Sequence, residues 1–225
     1  MRIRPVSELI NQKESGWPLI LQWKREARNQ IKILPRNSVQ AEQALYYTQV
    51  TTRSPMGAII FETGGILVDG GWIRILGSGS SQLKRTLPEW NLGKSFNQFG
   101  EAPRFLLIAD DAVGGFFALN GGGLDGANLG KVFYFSPDTL SWENLDLTYS
   151  QFIEFCFSGN LNEFYKGLRW KSWQEDVKSL SGDEVFIFYP YLFTKEGKEI
   201  EKVSRSTAPI QEVWQFSMDL KQKTL

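Results

Sequence analysis

Between residues 37 and 48 small and apolar side chains recur with helical spacing. Ala41, Ala44, Leu45 and Thr48 stand at i, i+3, i+4 and i+7, and Asn37 followed by Gln40 gives a capping-box pattern. A helix ending near Val50 is predicted, preceded by a shorter one around Ile20–Ala27 that stops before Pro35. The period then changes. The run GAIIFE at 57–62 has no polar interruption before its last residue and reads as a short strand. Ile66–Val68, Asp69-Gly70-Gly71 and Trp72–Leu76 read as a hairpin, because Asp-Gly between β-branched runs suits a tight turn. Phe105–Ala109 and Phe116–Leu119, separated by Asp110-Asp111 and Gly114-Gly115, read as another hairpin, and Val132–Phe135 as the next strand. Residues 82–103 read as irregular.

Helical spacing returns after residue 147. Thr148 and Gln151 form a capping-box pattern ahead of Tyr149, Phe152, Ile153, Cys156 and Phe157, an apolar face that ends at Gly159. Asn160 with Glu163, and Ser172 with Glu175, mark two further short helices. Glu184–Phe188 reads as a late strand at a sheet edge, since Pro190 follows. Residues 195–208 read as a mobile charged connector, and 212–221 as a terminal helix with Val213 and Phe216 turned inward. These signals predict one α+β domain over 1–225. It has a helical N-terminal segment (1–50), a sheet core of about five or six mostly antiparallel strands (57–135), helices at 148–180 covering one face, and a C-terminal strand and helix (184–222).

Composition narrows the chemistry. The chain has no histidine, so a Ser-His-Asp or Cys-His nucleophile system is excluded within it. One cysteine and no histidine exclude a Cys/His zinc site. The formal net charge is +0, which removes bulk attraction to nucleic acid or to an anionic membrane. Neither partner is expected, and no cofactor. A lone Cys156 makes an internal disulfide impossible and fits a reducing cytoplasm, and no segment has the length and apolarity of a signal peptide core or a membrane span.

Four residues stand out as tentative binding positions: Trp90, Asp110, Asp111 and Trp142. Trp90 and Trp142 fall beside turn residues, where an exposed aromatic often marks a contact surface. Asp110 and Asp111 end a strand. Paired carboxylates there could serve a hydrolase or transferase as acid and base, or hold a cation with Asp125, but aspartate at a turn also bonds its own backbone. Gly77–Ser81 could cradle a phosphate, although it lacks a full phosphate-loop pattern. Cys156, on an apolar helix face, is expected to be an inert core thiol.

The segments SPMGAIIFETGGILVDGGWIRILGSG (54–79), RFLLIADDAVGGFFALNGG (104–122), VFYFSPDTLSWENLDLTYSQFIEFCFSGNLNEFY (132–165) and LRWKSW (168–173) resemble a bacterial family of unknown function. More distantly, IADDAVGGFFAL (108–119) followed by a strand and the helix YSQFIEFC (149–156) resembles the SUKH superfamily. That second resemblance implies helices packed on an antiparallel sheet. It also implies a non-catalytic protein-binding role of the adaptor or toxin-immunity kind.

Overall fold

The computed structural model describes residues 2–224. In chain order the first elements are α1 (Val6–Leu9), α2 (Trp17–Glu26), β1 (Ile31–Leu34), α3 (Ser38–Thr48) and α4 (Pro55–Glu62). Then come β2 (Gly65–Val68), β3 (Ile73–Leu76), α5 (Leu87–Asn91), β4 (Phe105–Asp111), β5 (Phe116–Asn120), β6 (Val132–Ser136) and β7 (Ser141–Leu147). The chain ends with α6 (Tyr149–Ser158), α7 (Leu161–Phe164), α8 (Trp173–Ser179), β8 (Glu184–Tyr189), β9 (Ser204–Pro209) and α9 (Ile210–Thr224). Among the described residues, β1 to β7 form one antiparallel sheet in sequence order, and β8 and β9 form a separate two-stranded antiparallel hairpin. The fold is α+β, with a larger sheet than the five or six strands predicted. The additions are β1 and β7, at its two edges.

Both faces of the sheet are covered. On one, Phe117 of β5 and Tyr134 of β6 meet Phe152 of α6 and Phe164 of α7. On the other, Trp214 of α9 lies edge-on to Phe116, with ring centroids 4.9 Å apart, and also reaches Phe105. Double coverage explains why the central strands are almost continuously apolar instead of alternating. The second cover, α9, adds to the one face for which helices were expected. Phe216, expected inward on the terminal helix, is 42% exposed, and the inward positions are Ile210, Trp214 and Ser217.

Residues 57–62 are helical, not extended. The Ser54 side chain accepts from the Gly57 amide and Pro55 occupies the first turn, which together start α4. Ala58, Ile59 and Ile60 are all fully buried between other helices and the sheet. A helix buried all round has no amphipathic period, so its pattern mimics a core strand. Two segments taken as irregular or mobile are ordered: 82–103 contains α5, and all but the last residue of β9 falls in the 195–208 connector, the strand pairing with all of β8. The caps at Asn37, Thr148 and Asn160 form as predicted, with a reciprocal box at Thr148/Gln151. Ser172 makes no cap bond; its hydroxyl donates to Asp176.

Gly57 offers a test of this packing. In an ordinary helix Gly→Ala is stabilising, but a Cβ here would lie 2.1 Å from the Thr51 carbonyl oxygen. Gly57→Ala is expected to destabilise by about 2 kcal/mol, the scale of core overpacking, read as a lower urea midpoint with an unchanged slope.

Candidate functional site

Strand register places Arg74 of β3 directly opposite Asp110 of β4. Cross-strand partners on one face are close enough to pair, and Arg74 Nε donates to Asp110 Oδ1 at 2.6 Å. Arg74 Nη2 donates to the Asp111 carbonyl at 2.6 Å and Nη1 to the Glu184 carbonyl at 2.7 Å. From the loop after β3, Arg85 Nη1 donates to Asp110 Oδ2 at 2.5 Å, Nη2 to the Gly182 carbonyl, and Nε to Asp183 Oδ1 at 3.0 Å. Arg74 and Asp110 are essentially inaccessible to solvent. Burial by itself would lower the Arg85 pKa, yet the charges and hydrogen bonds of Asp110 and Asp183 hold it above its ordinary value.

Asp111 points to the opposite side, as strand alternation requires. Its Oδ1 accepts from the Val113 and Gly115 amides at 3.0 and 2.8 Å, and its Oδ2 from the Tyr134 hydroxyl at 2.7 Å. Burial raises the Asp111 carboxyl pKa, against the Tyr134 and Gly115 hydrogen bonds and the Arg74 charge. Gly115 admits no side chain, since a Cβ would sit 2.4 Å from both Asp111 Oδ2 and Tyr134 Oη. Asp125 lies apart on the Asn120–Gly130 loop, where it accepts from Ala127 and Asn128. That backbone bond, then Asn128, hold its carboxyl below the usual range. The three aspartates thus have separate partners. Among the described residues no group of three or more Cys, Asp or Glu is placed to hold a metal ion.

The tentative binding residues were expected at the surface, and three of the four are buried. Asp110 and Asp111 are 0% exposed, and Trp90 is 4% exposed within α5. Trp90 has loop-like neighbours because its helix is only five residues long, with Pro88 in its first turn and Gly93 just beyond its end. Its ring receives two cations, with the Arg85 guanidinium carbon 4.6 Å and Lys94 Nζ 4.0 Å from its centroid. Desolvation, helped by the Arg85 charge, brings Lys94 down to about 8. Trp142 is half-buried on β7 against Phe105 and Phe135. Cys156 is buried, and desolvation pushes its thiol well above the ordinary value; this matches an unreactive core group.

Two concavities flank the acidic turn. One is a pocket of about 270 Å³ between the β4–β5 turn, the β8–β9 hairpin and α9. Val113 and Gly114 form one side of it, and Phe186, Phe188, Tyr191 and Phe216 much of the rest. The other is a cleft of about 860 Å³ between β1–β3 and α8, with Arg74 in its lining. The Gly77–Ser81 loop borders it through Ser81. None of the pocket's residues was singled out for binding from the sequence. A signal was present in the aromatic density of VFIFYPYLF (185–193), five aromatics in nine residues.

Truncating Asp110 would leave the buried Arg74 guanidinium without its carboxylate and Arg85 with Asp183 alone. Asp110→Ala is expected to cost about 3–5 kcal/mol, measured by chemical denaturation. Asp111 has the opposite pH signature to a surface-paired carboxylate. Its raised native pKa means the folded state binds more protons, so its contribution to stability falls as pH rises from about 4, the unfolded value. Asp111→Asn is expected to flatten that fall in a pH series of urea midpoints.

The family profile described as "Protein of unknown function DUF2625" matches residues 6–213. An uncharacterized protein of Haemophilus influenzae is 43% identical over 221 residues, covering 98% of this chain and 96% of its own. The putative uncharacterized protein YbfG of Escherichia coli K12 is 43% identical over 220 residues, with 98% of each chain covered. No solved structure matches the chain. No helix among the described residues is long and apolar enough to cross a membrane. With a profile spanning nearly its whole length and bacterial relatives aligned end to end, the chain belongs to the DUF2625 family.

Proposed function

We propose that this protein is a non-catalytic cytoplasmic protein-binding module, and that its contact patch is the aromatic pocket beside β8 and α9. The observation that carries this reading is the clustering of exposed aromatic side chains at that one place. Tyr189 is 73%, Tyr191 41% and Phe216 42% exposed. Tyr191 stacks on Phe193 with centroids 5.2 Å apart and lies against Phe216 at 5.4 Å, so the rings form one contiguous patch. Tyrosine and other aromatics concentrate binding energy in interfaces because they bury large areas at low entropic cost. A pocket of this volume accepts one large apolar side chain.

Glu212 stands in the pocket's lining on the first turn of α9. The complementary partner segment therefore carries an aromatic or leucine side chain next to a lysine or arginine. An adaptor or toxin-immunity role, as the SUKH resemblance implies, fits a surface of this kind. The carboxylate-based hydrolase or transferase gains no support from the geometry. Every oxygen of Asp110 and Asp111 already accepts a hydrogen bond inside the protein.

Peptides selected from a random library against the wild-type protein test the reading. Selected peptides are expected to share an aromatic or leucine beside a basic residue. Tyr191→Ser and Phe216→Ser are each expected to weaken them by about tenfold or more without lowering the thermal midpoint. Glu212→Gln is expected to reduce the salt dependence of binding. Peptides whose affinity is unchanged by all three substitutions would place the contact surface elsewhere.

A further inference from the structure

The polar cleft lies on the other side of the Arg74 network from the aromatic pocket, and its chemistry is different. Its floor includes Arg74, a charged side chain 1% exposed. A guanidinium has five N–H donors. Three of its bonds, to Asp110, Asp111 and Glu184, fix it in place. The position of this charge is thus set before a ligand arrives, which is what a specific polar site requires.

The walls extend this bias toward donors. Lys32 of β1 and Lys178 of α8 stand on elements that bound opposite sides of the cleft, and Gln30, Gln82 and Gln174 add amide groups. Lys32 Nζ donates to Gln82 Oε1 at 2.8 Å, and Lys178 pairs with Glu175 only through an exposed contact three residues away on its own helix. Both ammonium groups can exchange these surface partners for a ligand at little cost. The single carboxylate in the lining, Asp69, is already held by Arg169 at 2.8 Å. Arg169 is itself fixed over Trp72, Tyr165 and Trp173. The cleft thus presents cationic and amide donors with its one acid neutralised.

An apolar strip completes it. Leu67, Trp173, Val177 and Leu180 line the cleft alongside the polar groups. Gly70 and Gly71 leave bare backbone in the wall; Gly70 has φ 71°, a conformation that side chains disfavour. A ligand matching this lining has one apolar face, several hydroxyl groups and an anionic end. A volume of about 860 Å³ exceeds what an isolated inorganic anion fills and lies within the range of small-molecule sites.

We propose that this cleft, floored by Arg74 and flanked by Lys32 and Lys178, is a binding site for a small phosphorylated sugar. The phosphate meets the lysines, the hydroxyls meet the glutamine amides, and the carbon-bound hydrogens of the ring face the Trp173 strip. The site shares no lining residue with the aromatic pocket, so it stands or falls independently of the protein-binding reading.

Isothermal titration calorimetry on the full chain tests it, with glucose 6-phosphate and ribose 5-phosphate as probes and with glucose and inorganic phosphate as separate arms. At least one sugar phosphate is expected to bind saturably, about tenfold tighter than inorganic phosphate or glucose. Lys32→Ala with Lys178→Ala is expected to weaken it a further tenfold or so while leaving the thermal midpoint unchanged, since both side chains are exposed. Gln82→Ala, also exposed, is expected to weaken the sugar phosphate but not inorganic phosphate. The proposal is overturned if neither sugar phosphate gives a saturable heat. It is equally overturned if inorganic phosphate binds as tightly as both, or if the affinity survives both the double variant and Gln82→Ala.

Discussion

A buried arginine cannot be left without an acceptor, and in this fold two of them converge on one carboxylate. Arg74 and Arg85 both donate to Asp110, which is wholly removed from water. Withdrawing these charges from water is costly, and close geometry with additional hydrogen bonds offsets it. The additional acceptors come from the chain around Gly182–Glu184, through two carbonyl groups and the Asp183 carboxylate. The start of β8 is therefore held against β3 and β4 by the needs of the arginines. The β8–β9 hairpin and α9 follow from that attachment, and with them the cover over the second face of the sheet.

Both concavities depend on the same joint. The turn that follows Asp110 runs through Val113 and Gly114, which form one side of the aromatic pocket, while Arg74 contributes to the floor of the cleft. The Phe186 amide donates to the Ala112 carbonyl at 2.7 Å, fastening the hairpin to that turn. Asp111 fixes the turn from the inside through two backbone amides and Tyr134. Adjacent aspartates that look like a catalytic pair are thus two anchors facing opposite ways. One secures the hairpin and the other the turn. Their burial is better explained by the shape they impose on the surfaces around them than by chemistry of their own.

Aromatic residues divide between support and display. Tyr165, Trp170 and Trp173 cluster around Trp72, and Trp173 lines the cleft, with the Arg169 guanidinium carbon 3.9 Å from the Trp173 centroid. Trp90 is enclosed between Arg85 and Lys94. Such pairings let tryptophan rings stabilise cations that burial would otherwise penalise. The aromatics of 186–193 are split: Phe186 and Phe188 pack on Trp170, while Tyr189 and Tyr191 are exposed. Tryptophan in an apparent loop is thus enclosed, while Tyr189 of β8 and Tyr191 just after it stay exposed.

Local rules determined much of this protein. The caps at Asn37, Thr148 and Asn160, the Asp-Gly turn between β2 and β3, the apolar strands β4 to β6 and the amphipathic face of α6 each follow from interactions within a few residues. The missing histidine and balanced charge likewise follow from composition alone. Tertiary structure decided what no short window contains. It made 57–62 a helix, because all-round burial erases the period that separates helix from strand. It added β1 and β7 as edge strands, whose pairing partners are supplied by β2 and β6. It brought Arg74 and Arg85 onto Asp110, and Asp183 beside them, across separations of 25 to 98 residues. Those long-range pairings set where the pocket and the cleft lie, since a concavity is defined by the elements that meet around it and not by any one of them.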